Sequence, residues 1–220
     1  MPLVAFSFRH RRPRVMPSAV PSILYIHGFN SSSASLKARQ LTCAMQALGL
    51  ALRLRVPDLH HHPRRAIAQL ETLLAELGRP TLVGSSLGGY YATHLAERHG
   101  LRAVLINPAV RPYRLFGGRL GTQHNHYSGE TWELTVDHLA ALAELEVPPP
   151  RDPARYRVWL QTGDETLDWR DAAAYYRHCA PAVERGGDHG FQGFAGRLPE
   201  LLAFAGFDAA LWRDFDFSEL

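Results

Sequence analysis

Between Ser22 and Ile106, four short β-rich runs alternate with three helical stretches, and this alternation leaves few folds open. The runs are Ser22–Ile26 (SILYI), Ala51–Val56, Thr81–Val83 and Ala103–Ile106. In the first intervening stretch Leu41, Ala44, Met45 and Leu48 share one helical face, and Gly49 ends it. In the second, Ile67, Leu70, Leu73, Leu74 and Leu77 do the same, and Gly78 ends it; the third runs to about His99 and stops at Gly100. Strands separated by single helices at this spacing predict right-handed crossovers and a mostly parallel, doubly wound α/β sheet covered on both faces.

The third strand runs straight into Gly84-Ser85-Ser86-Leu87-Gly88, a G-x-S-x-G pattern. Such a pattern places the serine on a sharp strand-to-helix turn, where flanking glycines let the backbone pass close to itself. The Ser86 hydroxyl would then stand at a helix N-terminus, whose free N–H groups favour a developing oxyanion. By itself the pattern also fits a simple tight connection, so the rest of the chain has to supply the partners.

After Ile106 the alternation pauses. From about Asn107 to Tyr156 there is one short helical patch, Val136–Leu145, among glycines and the run Pro148–Pro150. Fifty residues are too many for a plain connection, and residues 107–156 are expected to form a lid over one end of the sheet. Regular structure resumes with a strand at Arg157–Gln161, a helix around Asp171–Cys179, a strand at Ala182–Glu184 and a helix near Leu198–Phe204. The expected organisation is an arm over 1–20, a catalytic domain over 21–207 containing the lid, and a tail over 208–220, packed or frayed.

Serine attacks at neutral pH only if a base takes its proton, and the base needs a third group to hold its tautomer. In doubly wound hydrolases the chain order is serine, acid, histidine, each on a loop after a successive strand. That order is met here: Thr162-Gly163-Asp164-Glu165 follows the fifth strand and Gly186-Gly187-Asp188-His189-Gly190 the sixth. Asp164 is the candidate acid and His189 the candidate base. Asp168 is the rival acid, and Asp164 could instead cap a helix. His27-Gly28-Phe29-Asn30 ends the first strand at the same carboxyl edge as Ser86. Backbone N–H groups of Phe29 and Leu87 are the candidate oxyanion hole, and His27 reads as structural. The run His60–His62 resembles a metal tract but lacks a surrounding ligand cluster apart from Asp58, so neither metal nor organic cofactor is expected.

Composition removes other classes. With 46% hydrophobic and 20% charged residues the chain is an ordinary globular one, and no apolar run is long enough to span a bilayer. The basic pI of about 9.1 comes from one end. Without Arg9, Arg11, Arg12 and Arg14 the formal net charge falls from +3 to −1, which argues against a nucleic-acid partner. No uninterrupted apolar segment follows those arginines, so a secretory signal is not expected; a natural start at Met16 or a loose arm is. Cys43 and Cys179 are expected to be reduced thiols of a cytoplasmic protein.

The phrases LYIHGFNSSSASLKA, GSSLGGYYA, NPAVRPY, QTGDETLDWRDAAAYY and GGDHGFQGF lie in order between about Ile23 and Phe207. Together they resemble the YqiA-like group of small bacterial α/β-hydrolase esterases. The resemblance implies an α/β-hydrolase fold, esterase activity on acyl esters, acyl-CoA thioesters included, nucleophile Ser86, acid Asp164 and base His189. The alternatives are an acyl-CoA thioesterase, with Arg111 and Arg114 at the lid entrance meeting the phosphates, and a hydrolase-fold protein that binds without turnover. The arginine-rich start, the tail beyond Phe207 and Asp188 depart from the family pattern.

Overall fold

The structure is a computed structural model and describes residues 20–220. The arginine-rich arm and the Met1 or Met16 start lie outside the described residues. Six strands form one parallel sheet in the order β2-β1-β3-β4-β7-β8: β1 Ile23–Ile26, β2 Leu54–Arg55, β3 Thr81–Ser85, β4 Ala103–Ile106, β7 Tyr156–Gln161 and β8 Ala182–Glu184.

Successive side chains on a strand point to opposite faces, so each buried strand feeds two cores. Leu24, Ile26, Leu82, Leu105, Val158 and Leu160 pack on one side against helices α2 (Pro63–Leu77) and α3 (Leu87–His99). Ile23, Tyr25, Val83, Val104, Ile106 and Trp159 pack on the other against α1 (Leu36–Ala47) and α7 (Phe194–Ala205). Burial of strands on both faces explains their nearly continuous apolar sequence.

The strand order places the site. The chain moves outward from β1 to β2, then returns to β3 on the other side of β1. The crevice at the carboxyl ends of β1 and β3 is therefore a topological switch point, where ligands of open α/β sheets bind.

Several expectations need correction. The second strand is only Leu54–Arg55, because Ala51–Arg53 forms a 3-10 turn with Leu52 84% exposed at the sheet edge. The lid carries a hairpin that its sequence did not advertise, β5 (Gly121–His124) against antiparallel β6 (Thr131–Leu134). Its clue is the alternation in TWEL, where Trp132 and Leu134 are buried and Thr131 and Glu133 exposed. The lid also holds α4 (Pro112–Leu115) and α5 (Val136–Ala143), the latter close to the expected patch. Helix α6 (Trp169–Tyr175) is shorter than expected, with a separate 3-10 turn at Arg177–Cys179. Helix α7 starts at Phe194 rather than Leu198 and accommodates Pro199 inside it.

Beyond α7 the tail is packed. Phe217 is buried, and Trp212, Phe215 and Leu220 lie on the α1–α7 core. Cys43 is exposed, Cys179 buried, and both are free. Among the described residues no helix is long and apolar enough to cross a membrane.

Candidate active site

Ser86 sits between β3 and α3 at φ 55°, ψ −122°, a conformation that costs a non-glycine residue energy and persists only when its surroundings impose it. Here the surroundings are backbone. A Cβ at Gly84 would lie 2.3 Å from the carbonyl oxygen of Gly88, and one at Gly88 would lie 2.0 Å from that of Ile26. The glycines thus let β3, α3 and the end of β1 close on one another.

The three candidate side chains come together at the carboxyl edge of the sheet. Ser86 Oγ is 3.0 Å from His189 Nε2, and His189 Nδ1 is 2.9 and 3.0 Å from the two oxygens of Asp164. Because Nδ1–H faces a carboxylate, Nε2 is left as the acceptor for the Ser86 hydroxyl.

Asp164 is only 2% exposed at its side chain, and an unpaired carboxylate there would be costly. Its Oδ1 also accepts the N–H groups of Thr166 and Leu167 at 2.9 and 2.8 Å. Burial pushes its pKa up, but the His189 hydrogen bond and these N–H groups outweigh burial and hold it below the ordinary carboxylate value. It is ionised at neutral pH. Asp168, the rival, is elsewhere employed: as N-cap of α6 its Oδ1 accepts the N–H of Arg170 at 2.9 Å.

The histidine loop is held by residues that sequence reasoning passed over. Asn107, buried at the end of β4, donates from Nδ2 to the carbonyls of Asp188 and His189 at 3.0 and 3.4 Å, while its Oδ1 accepts the Gln161 N–H. Gln161, buried at the end of β7, accepts the N–H groups of Asp188 and Gln192 on Oε1. Glu165 accepts the N–H of His189 itself. A Cβ on Gly163 would lie 2.3 Å from the Gly187 carbonyl oxygen, so the acid and histidine loops also meet through bare backbone.

The first loop lies against the serine: a Cβ on Gly28 would be 3.2 Å from Ser86 Cβ and 3.6 Å from its Oγ. Leu87 is the first residue of α3, so its N–H has no helical acceptor. His27 is structural; its Nε2 accepts the Leu59 N–H while Nδ1 bonds the Gly28 carbonyl. The hairpin is tied over this loop, with Trp132 Nε1 donating to Asn30 Oδ1 and Asn125 Nδ2 to the Ser31 carbonyl.

Two clefts meet at Ser86 and His189. One, of about 280 Å³, is mainly apolar, with Phe29, Leu87, Pro112, Leu115, Phe116 and Leu167 in its wall. The other, of about 300 Å³, also presents mostly apolar surface but has more polar side chains in its wall, among them Asn30, Ser35, Lys37 and Tyr127. Arg111 and Arg114 line neither of these; they wall a separate cleft, and Arg111 is paired with Glu146 at 2.8 Å.

His60–His62 pack into a stack with Trp132 and His138. Among the described residues no group of three or more His, Cys, Asp or Glu side chains is placed to hold a metal ion.

The sheet order, crossovers and turn at Ser86 define an α/β-hydrolase fold, and solved structures agree. A putative hydrolase from Agrobacterium vitis matches with a TM-score of 0.65 at 18% identity, over 84% of this chain and 87% of that one. Est1E from Butyrivibrio proteoclasticus, solved with ferulic acid bound, matches at 0.61 and 14% identity, over 87% and 90%. The profile of the uncharacterised protein family UPF0227 matches residues 22–206, and the chain belongs to that family. A UPF0227 protein of Shewanella woodyi is 26% identical over 191 residues, which cover 83% of this chain and 98% of that one.

Proposed function

We propose that the protein is a serine hydrolase that cleaves short to medium acyl esters through an acyl-enzyme. The observation that carries this reading is the unbroken hydrogen-bonded line from Ser86 Oγ through His189 to Asp164, opening on two clefts. The likeness to hydrolase and esterase folds is consistent with it.

His189 Nε2 takes the Ser86 proton as Oγ attacks the acyl carbonyl, and ionised Asp164 stabilises the imidazolium that results. The negative charge on the carbonyl oxygen develops where the N–H groups of Leu87 and Phe29 are proposed to meet it; one such donor is worth about a hundredfold or more in rate. His189 then returns the proton to the leaving alcohol, which departs. Water, deprotonated by the same imidazole, attacks the acyl-enzyme and frees the acid and Ser86. The apolar cleft suits the acyl chain and the cleft that holds Lys37 the leaving group. The domain over 21–207, with its lid, is proposed as the catalytic unit. No step requires a metal or an organic cofactor.

A chain-length series of 4-nitrophenyl esters, with matched oxygen and thiol esters, tests this reading. Turnover of the acetate to octanoate range that disappears in Ser86→Ala supports it, and preference between the two ester types separates esterase from thioesterase. Absence of turnover on the whole series defeats it.

A further inference from the structure

The second cleft beside Ser86 contains a half-buried lysine with an unusual set of partners. Lys37, the second residue of α1, donates from Nζ to the carbonyl of Gly190 at 2.6 Å. An ammonium has three donors and is costly to bury without a countercharge. Two carboxylates attract it from a distance: Asp164, hydrogen-bonded to His189, and Asp188, whose Oδ2 accepts from Gln192 Nε2 while its buried Oδ1 has no hydrogen-bond partner. Burial lowers the Lys37 pKa to about 8, with Asp188 and Asp164 drawing it back up, so it is cationic at neutral pH.

Two further features make the same wall positive. Helix α1 begins at this cleft, its first turn has no acidic residue, and Ser35 supplies no side-chain cap, so free N–H ends add partial positive charge. No carboxylate is among the residues that line the cleft.

We propose that this cleft receives the leaving-group half of the ester and that this half carries an anion, a carboxylate or a phosphate, that pairs with Lys37. The proposal rests on the serine hydrolase reading above. The leaving oxygen has to stay within reach of His189 Nε2, and the His189–Gly190 segment walls this cleft. An anion a few bonds beyond that oxygen lies on the side of Lys37, while the acyl chain occupies the apolar cleft. Lys37 is then a specificity residue that selects the alcohol.

The test uses the full-length protein and three butyrate esters that differ only in the alcohol: 3-hydroxypropionate, 2-hydroxyethyl phosphate and neutral 3-hydroxypropionamide. Wild type is expected to favour at least one anionic ester over the neutral one by about tenfold or more in kcat/KM, chiefly through KM. The better of the two identifies carboxylate or phosphate. Lys37→Gln, which can still donate to Gly190, is expected to reduce that ratio at least about fivefold, and Lys37→Arg to retain it.

A wild-type ratio near one overturns the proposal. So does a ratio unchanged in Lys37→Gln, because a lysine that only tethers Gly190 lowers all three rates alike. Competitive inhibition of wild type by free 3-hydroxypropionate or 2-hydroxyethyl phosphate, but not by the amide, reads the same preference without any variant. Turnover without anion preference defeats this inference alone, whereas no turnover and no active-serine labelling defeats the hydrolase reading beneath it.

Discussion

Asn107 holds His189 by its backbone: the amide nitrogen at the end of β4 donates to the carbonyls of Asp188 and His189, and its oxygen accepts from Gln161 on β7. One side chain thus links two strands to the loop that presents the imidazole. Asn107→Ala leaves buried groups unpaired and is expected to cost about 1–3 kcal/mol of stability. If the loop sets the imidazole geometry, kcat falls about tenfold or more while KM changes little. Urea unfolding and steady-state kinetics check both, and a stability loss with unchanged kcat would assign Asn107 to folding alone.

Asp164 and Asp168 separate cleanly. Asp164→Asn removes the charge facing Nδ1 and favours the wrong tautomer, with an expected loss of about 10⁴-fold in kcat. Asp168→Asn keeps a competent N-cap on α6, so stability and kcat should both stay close to wild type, whereas Asp168→Ala should cost about 1 kcal/mol. The kinetics of the two asparagine variants, measured side by side, decide which carboxylate serves His189.

Two glycines near Ser86 are expected to fail in different ways. At Gly84 a methyl would meet fixed backbone 2.3 Å away, so Gly84→Ala should destabilise the fold by about 1–3 kcal/mol or more. At Gly28 the methyl would approach Ser86 Cβ at 3.2 Å and Oγ at 3.6 Å, a tight contact rather than a collision with fixed backbone. Gly28→Ala is therefore expected to lower kcat at least about tenfold with a smaller change in thermal midpoint. Equal loss of stability in the two would contradict this division.

The lid is docked through histidines, and its docking should weaken in acid. His61 Nδ1 is 3.3 Å from His138 Nε2, and His61 stacks on Trp132. Burial lowers the pKa of His60, His61 and His138. Neighbouring histidines lower it further, as Arg65 does for His60 and His61, while Glu130 or Asp137 partly opposes the shift. Unfolded histidines take up protons first, so stability is complete above their ordinary value near 6.5 and falls as pH drops below it. Thermal melts between pH 7.5 and 5 should show this slope, and His61→Phe, which keeps a ring against Trp132, should flatten it. Asp164 acts in a separate window near and below the ordinary carboxylate value, since its own pKa is depressed.

The sequence was most readable where backbone geometry demanded particular residues. Gly84 and Gly88 mark the turn at Ser86 because no Cβ fits there, and the glycines before Asp188 mark the histidine loop for a related reason: a Cβ on Gly187 would fall 1.9 Å from Gln161 Oε1. Asn107 and Gln161 left no pattern, since each is a single polar residue closing an apolar strand. Their position at a carboxyl strand end was the available signal. Lys37 reads as an ordinary solvated helix lysine until β1, α1 and the Gly190 loop are brought together. The hairpin over residues 121–134 was hidden because a single four-residue alternation is too short to be distinguished from loop.

The most direct test of the proposed chemistry is to treat the native protein with a fluorophosphonate probe and locate the adduct by peptide mass spectrometry. Stoichiometric labelling of Ser86, abolished in Ser86→Ala and strongly slowed in His189→Ala, is the expected result. A folded wild-type protein whose Ser86 stays unmodified would contradict the assignment of that hydroxyl as an activated nucleophile.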